Sequence, residues 1–286
     1  MTLCIYHGNC ADGFGAAWAV RQAIPEAEFC AATYQAPPPD VTDKRVVMVD
    51  FSYKRPVLLD MASKAESILI LDHHKSAAED LVDLPANVVA VFDMERSGAM
   101  MAWQHFFPGA PAPRLIEHIQ DRDLWRFALP GTREIQANVF SYPYDFGVWD
   151  TLMASDVDQL RTGGEAIERK HHKDIAELVK VTKRRMVIGG FDVPVANLPY
   201  TLSSDAGHLM AQGEPFAACY WDTPDGRVFS LRSSEAGQDV SAVAKTYGGG
   251  GHRNAAGFQV PHSHALGSNA GSSHISASER LRGDRV

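Results

Sequence analysis

Five short β-branched or apolar runs, separated by helix-like stretches, fill the first half of the chain and leave it few ways to fold. The runs are Leu3–Tyr6, Glu28–Thr33, Arg45–Val49, Ser67–Leu71 and Val88–Phe92, with helix-like sequence at Phe14–Ala23, Arg55–Ala65 and Gly98–Phe107. This alternation predicts βα units around a parallel sheet, in an α/β fold class. In such a sheet the strand C-termini lie along one edge, and ligands bind in the crevice outside that edge.

Asp156 to Val187 is strongly charged with apolar residues at helical spacing, including Leu160, Ile167, Ile175, Leu178, Val179 and Met186, and reads as a long helix. Beyond it the pattern becomes Val187–Ala196, Phe216–Trp221 and Val228–Arg232 as strands, with helices near Ser204–Gln212 and Val240–Tyr247. The expected organisation is therefore an N-terminal parallel-sheet domain over 1–155, a helical linker over 156–187, a smaller mixed α/β domain over 188–262, and a disordered tail over 263–286 that takes no part in function. A chain of 286 residues, 45% of them hydrophobic, has the material for two cores.

The N-terminus lacks a signal-peptide pattern, and no apolar stretch reaches the roughly 20 residues needed to span a bilayer, so the expected location is cytoplasmic with no membrane partner. The net charge of −8 disfavours binding along nucleic acid, which requires a basic surface to release counterions. Cys4, Cys10, Cys30 and Cys219 form no C-x-x-C pair and signal neither a zinc knuckle nor a disulfide framework.

Several acidic and histidine residues fall where elements of the first half should end. His7-Gly8-Asn9-Cys10-Ala11-Asp12-Gly13 follows the first strand and opens a helix; Asp50 ends Val46–Val49; Asp72-His73-His74 ends Ile68–Leu71; Asp121 and Asp123 follow a helix-like segment that begins at Pro113. A single aspartate at a strand end is commonly a cap or turn residue, and a lone histidine is commonly structural. Convergence of the segments changes the balance. Carboxylates gathered and buried together repel one another and lose solvation unless cations neutralise them. Mixed carboxylate and imidazole ligation suits Mn²⁺, Fe²⁺ or Zn²⁺, and Mn²⁺ is the first expectation. A pair of such ions activates water and clamps a phosphoryl group, which suggests phosphate-ester hydrolysis. In contrast, His171-His172 lies among Glu168, Arg169, Lys170 and Lys173 and reads as a solvated helix face. In the second half, Gly248 to Gly257 combines four consecutive glycines with His252, so that backbone amides at Gly250 and Gly251 and the imidazole are candidates for contact with phosphate. Arg232, ending a strand, is a further candidate.

These residues together resemble the DHH phosphoesterase superfamily, in the branch with a C-terminal DHHA1 domain. Asp72-His73-His74 is similar to the name-giving motif, His7 to Gly13 to the first motif, Asp50 to the second, Asp121 to Phe127 to the fourth, and Gly249 to Gly257 to the DHHA1 glycine motif. The resemblance covers roughly Leu3 to Val260. It implies a DHH domain holding two Mn²⁺ ions and a DHHA1 domain that closes over substrate. Carried over by position, His7 and Asp50 hold one ion and Asp12, Asp50, His73 and Asp121 the other, with Asp50 as bridge. Asp121 is preferred to Asp123 because Phe127 then takes the family's aromatic position. His74 contacts the scissile phosphate, Asp50 and Asp72 complete the catalytic set, and Arg232, Gly250, Gly251 and His252 bind substrate. One departure stands out: the family's first motif carries two aspartates one residue apart, and Cys10 occupies the first place here, which makes it a further candidate ligand favouring a softer metal.

Family members cleave polyphosphate or pyrophosphate, single-stranded DNA, very short RNA, or cyclic and linear dinucleotides. The acidic charge favours a short substrate over a long nucleic acid. The expectation is a phosphodiesterase on short linear oligonucleotides such as pGpG. The alternatives are a polyphosphatase or other small-phosphate hydrolase, and a nucleotide-binding regulator with little turnover. A homodimer is compatible with the sequence.

Overall fold

The computed structural model describes residues 1–34 and 36–267, which divide into two compact units, Met1–Lys173 and a second from Asp174 onward. Among the described residues no helix is long and apolar enough to cross a membrane.

The first unit runs β1 (Thr2–His7), α1 (Ala11–Ala23), β2 (Glu28–Ala32), β3 (Arg45–Val49), α2 (Arg55–Ala62), β4 (Ser67–Asp72), α3 (Lys75–Asp80), β5 (Val88–Phe92), α4 (Gly98–Phe106), α5 (Arg114–Asp123), α6 (Thr132–Val139) and α7 (Phe146–Ala154), followed by α8 (Val157–Thr182), which continues into the second unit. The five strands pair in parallel in the order β2-β1-β3-β4-β5. Side chains alternate between the faces with the two-residue period of a strand. Leu3, Ile5, Val46, Met48, Ile68 and Ile70 enter one core with Leu58 and Met61 of α2. Cys4, Val47, Val49 and Leu71 enter the other, with residues of α1, α4, α5, α6 and α7. A parallel sheet covered on both faces explains why its central strands read as unbroken apolar runs rather than as alternating ones.

Two features of this arrangement position a site. The chain leaves β1 toward β2 on one side and returns to β3 on the other, so the C-terminal ends of β1 and β3 flank the point where strand order reverses, the usual crevice of an open α/β sheet. Helices α1 and α4 also meet through small residues, with Ala16, Ala19, Ala99 and Ala102 wholly buried, which lets the two backbones approach closely.

The second unit contains β6 (Arg184–Ile188), β7 (Phe191–Asn197), a single 3₁₀ turn (Tyr200–Leu202), α9 (Ser203–Met210), β8 (Ala217–Thr223), β9 (Gly226–Arg232), α10 (Val240–Lys245), β10 (Gly250–Gly251) and β11 (Ala255–Val260). Its sheet has the order β10-β11-β9-β8-β7-β6 and is antiparallel except between β7 and β8. The single strand expected over Val187–Ala196 is two strands. Gly189 and Gly190, with φ of +58° and +86°, supply the left-handed pair that a two-residue hairpin turn requires. The long helix ends at Thr182, five residues before the expected boundary at Val187, because β6 begins at Arg184 and pairs with β7. Packed chain continues beyond residue 263. Leu266 lies against this unit's core and its carbonyl accepts from Arg227. The remainder of the expected tail, 268–286, lies outside the described residues.

Candidate metal centre

Each polar side chain at the strand-end edge of the first unit is delivered by a short local device. His7 is the last residue of β1. Cys10 stands at the N-cap position of α1 with extended backbone, and Asp12 falls in that helix's first turn. Asp50 follows β3 in the left-handed region, φ +54°, a conformation that Asp tolerates better than most residues, and its amide donates to Leu71 O at 3.0 Å. Asp72 ends β4, and His73 and His74 follow directly.

Four of these side chains are almost fully removed from solvent: Asp12 is 1% exposed, Asp50 1%, Asp72 0% and His73 2%. His73 Nε2 lies 3.0 Å from Asp50 Oδ1 and 3.7 Å from Asp12 Oδ2, and His7 Nδ1 lies 3.4 Å from Asp50 Oδ2. Donor atoms of Asp12, Asp50 and His73 lie within 4.8 Å of one another, as do those of His7, Cys10 and Asp50, and those of Asp50, Asp72 and His74. Asp50 is common to these three groups.

The helices α1 and α4 meet at Asp12. Its two carboxylate oxygens accept from the amides of Gly98 (2.6 Å) and Ala99 (2.9 Å), the unpaired donors at the start of α4. Ser97 caps the same helix by accepting from Met100 N. Gly98 must be glycine, because a Cβ there would sit 2.4 Å from Asp50 Cβ and 3.0 Å from Asp12 Oδ2. Sequence reading missed Ser97 and Gly98 as site residues. The available signal was a serine at the cap position immediately before the helix-like segment that starts at Gly98.

Asp72 acts as a positioning residue. Oδ1 accepts from the amides of His73 (2.8 Å) and His74 (3.2 Å) and lies 2.6 Å from His74 Nδ1, while Oδ2 accepts from the Ser52 hydroxyl at 2.6 Å. Burial would raise its pKa, but the His74 charge and hydrogen bond, with the Ser52 hydroxyl, hold it below the ordinary carboxylate value. An ionised carboxylate only accepts, so the proton on this pair resides on His74 Nδ1 and fixes the ring's tautomer and orientation. Ser52 is another residue that no motif pointed to.

The fourth acidic segment requires a correction: the carboxylate beside His73 is that of Asp123, 3.5 Å from Nε2, and not that of Asp121. Both residues lie within α5 rather than after it. At 3.6 residues per turn they are separated by about 200° around the helix, so only one can face the cluster. Asp121 instead organises its own loop, accepting from Ala128 N (2.8 Å), Leu129 N (3.0 Å) and Thr132 Oγ1 (2.6 Å), with Thr132 also 2.8 Å from His118 Nδ1. Its oxygens are committed to those donors. Asp121→Ala is therefore expected to cost about 3 kcal/mol of stability, by stranding donors around a buried position, while leaving divalent-ion affinity within a few-fold. Denaturant unfolding and metal titration of the variant check the two parts.

Within the second unit, Arg232, at the end of β9, donates to Ser230 Oγ, Leu231 O and Ser204 Oγ. Gly250 and Gly251 form strand β10 and pair with Gly257 and Ala256, and His252 closes the turn to β11, its amide donating to Ala255 O at 2.8 Å.

The residues of the first unit suit a divalent cation. Asp50 Oδ2 is buried without a hydrogen bond, and both carboxylates of the Asp12–Asp50 pair are enclosed. Burial first and then the charges of Asp123 and Asp50 push Asp12 well above the ordinary carboxylate range. Burial works against a charged His73, yet its bond to Asp50 and the surrounding carboxylates raise it well above the ordinary imidazole value, and His7 is raised, against the same cost of burial, by the adjacent Asp50 and the neighbouring carboxylates. Those two histidines hold Asp50 well below its ordinary value against the cost of burial. The donor set of carboxylate, imidazole and thiol atoms is one that suits a divalent cation of borderline softness.

No protein-family model matches the sequence. The chain is 32% identical over 283 residues to an uncharacterized protein, R106, of Acanthamoeba polyphaga mimivirus; the match takes in 89% of this chain and 66% of that protein's length. Among solved structures, an exopolyphosphatase-related protein from Bacteroides fragilis aligns over 91% of this chain and 86% of its own, with a TM-score of 0.51 and 12% identity. RecJ from Thermus thermophilus, crystallised with Mn²⁺, aligns over 91% of this chain and 50% of its own, with a TM-score of 0.50 and 12% identity. Both are DHH-superfamily proteins. The chain shares the fold of these structures, with an all-parallel five-stranded sheet and a second, mixed sheet. In that fold the Asp72-His73-His74 segment occupies the end of β4, beside the reversal point between β1 and β3.

Proposed function

We propose that the chain is a divalent-cation-dependent phosphoesterase that hydrolyses phosphodiester bonds in short linear oligonucleotides, pGpG among them. The observation that carries this reading is the sharing of one buried carboxylate, Asp50, by three adjoining groups of donor atoms at the strand-end crevice. Two cation sites sharing a ligand are the usual equipment for in-line displacement at phosphorus, where the ions supply activation of water and neutralisation of phosphoryl charge. In this reading His7, Asp50 and Cys10 hold one cation, and Asp12, Asp50, His73 and Asp123 hold the other, Asp123 replacing Asp121. Mn²⁺ suits the second, oxygen-rich set. His74, its ring held by Asp72, bonds a phosphate oxygen and is the group suited to carry a proton to the departing oxygen.

The acidic net charge of −8 supports a short substrate rather than a long nucleic acid. Incubation of the Mn²⁺-loaded chain with pGpG, other dinucleotides and polyphosphate separates the alternatives by product. Mononucleotide release supports the proposal. Orthophosphate from polyphosphate alone would replace it with a polyphosphatase, and tight nucleotide binding without any product would replace it with a regulator.

Cation binding must displace protons, because His73, His7 and Asp12 are all shifted toward their protonated forms. Calorimetric Mn²⁺ titrations near neutral pH, in buffers of different ionisation enthalpy, should show net proton release and an affinity that falls as pH is lowered. Binding with no proton release would argue that the ion sits elsewhere.

A further inference from the structure

The proposed pair of cation sites is chemically unequal, and the inequality comes from Cys10. Cys10 takes the N-cap position of α1, where Ser, Thr, Asp and Asn are the residues that stabilise a helix best by accepting from its first amides, so cysteine is a weak choice there. It is also a free thiol, half-buried, whose sulfur belongs to the same group as His7 and Asp50, with donor atoms within 4.8 Å of one another. The independent observation is Asp50 Oδ2. This oxygen belongs to a side chain 1% exposed, has no hydrogen bond, and lies 3.4 Å from His7 Nδ1, on the His7 side of the carboxylate; Oδ1 faces His73. One edge of the Asp50 carboxylate thus meets imidazole and thiol, and the other meets imidazole and carboxylates.

We infer that His7, Cys10 and Asp50 form a thiolate-containing site that takes a thiophilic divalent ion, Zn²⁺ or Fe²⁺, beside the oxygen-rich group of Asp12, Asp50, His73 and Asp123. The inference rests on the reading that Asp50 binds cations and adds which ion each edge selects. On binding, the Cys10 S–H bond breaks, its electron pair becomes the sulfur–metal bond, and the proton leaves to solvent; no oxidation state changes. Thiolate, imidazole and one carboxylate favour a borderline-soft ion in a low-coordinate site, whereas Mn²⁺ prefers the oxygen-rich neighbour. Cys4 and Cys219 are wholly buried within hydrophobic cores, so Cys10 is the thiol that the geometry gives to the site.

Co²⁺ is a suitable probe because its visible bands report any low-symmetry site and its near-ultraviolet charge-transfer band reports sulfur ligation alone. Titration of the metal-stripped full chain should give visible bands together with a sulfur charge-transfer band that saturates at a single equivalent and is removed by added Zn²⁺. Cys10→Ser and Cys10→Asp should abolish the charge-transfer band and keep the visible ones, and Cys10→Asp should shift the competition between Zn²⁺ and Mn²⁺ toward Mn²⁺ by about tenfold or more. A native chain with Asp50-dependent visible bands but no charge-transfer band overturns the thiolate assignment and leaves the cation-site proposal standing. A charge-transfer band that survives Cys10→Ser overturns it as well. Absence of all cobalt bands overturns both readings.

Discussion

Asp50→Ala is expected to lower kcat on the best dinucleotide substrate by about 10⁴-fold or more, equivalent to about 5.5 kcal/mol of lost transition-state stabilisation. The expectation follows from Asp50 being shared by three donor groups of the first unit, 1% exposed, and held ionised by His7 and His73. Removing it takes a ligand from both proposed cations and leaves two histidines without their carboxylate. The backbone at Asp50 is left-handed, so alanine adds strain of its own. Asp50→Asn separates the effects: asparagine tolerates φ near +54° but offers no charge to bridge cations, and should be nearly as inactive while folding better. Stopped assays at saturating Mn²⁺, with bound metal counted in each variant, check this. Wild-type turnover in both variants would refute the assignment.

The second large effect is expected at Asp72. This carboxylate contacts no solvent and fixes His74 through Oδ1 while Ser52 occupies Oδ2. Asp72→Asn keeps the shape but replaces charge-assisted acceptance with a neutral amide, one side of which donates. His74 then loses both its preferred tautomer and its orientation. A loss of about 10- to 100-fold in kcat, with little change in KM and with Mn²⁺ content retained, is expected of such a positioning residue, along with about 2 kcal/mol of stability. A kcat indistinguishable from that of the native chain would assign Asp72 a structural role only.

Much of the first unit was legible because its strands are buried on both faces. Arg45–Val49 and Val88–Phe92 occur with the boundaries their apolar runs suggest, and the remaining three strands differ by a residue or two at their ends. Helix α1 begins at Ala11, three residues before its apolar pattern, because its first turn is built from Asp12 and Gly13, which read as loop residues. Helices α6 and α7 carried too little local signal to separate from connecting sequence. In the second unit the hairpin at Gly189–Gly190 sat inside what looked like one continuous apolar strand. His7, Asp12, Asp50, His73 and His74 were visible as residues at element ends, and the structure brings them together with Cys10.

The choice between Asp121 and Asp123 depended on the rotation of α5, which motif alignment does not contain. Helical spacing does contain it. Asp123 lies four residues after Ile119 and seven after Ile116, the spacing of one helix face, whereas Asp121, itself buried, lies on the face of His118. The roles of Ser52, Ser97 and Gly98 at the site were illegible for a different reason. Each matters through a partner distant in sequence, Asp72, Asp12 or Asp50, and only the folded chain reveals such pairs.

If the buried cluster at the β1–β3 reversal holds divalent cations, equilibrium Mn²⁺ binding to the metal-stripped chain, counted directly, must depend on Asp50. The expected result is saturable binding that is lost in Asp50→Asn and retained in Asp121→Ala; saturable binding that is unaffected by Asp50→Asn, or no binding at all, would contradict it.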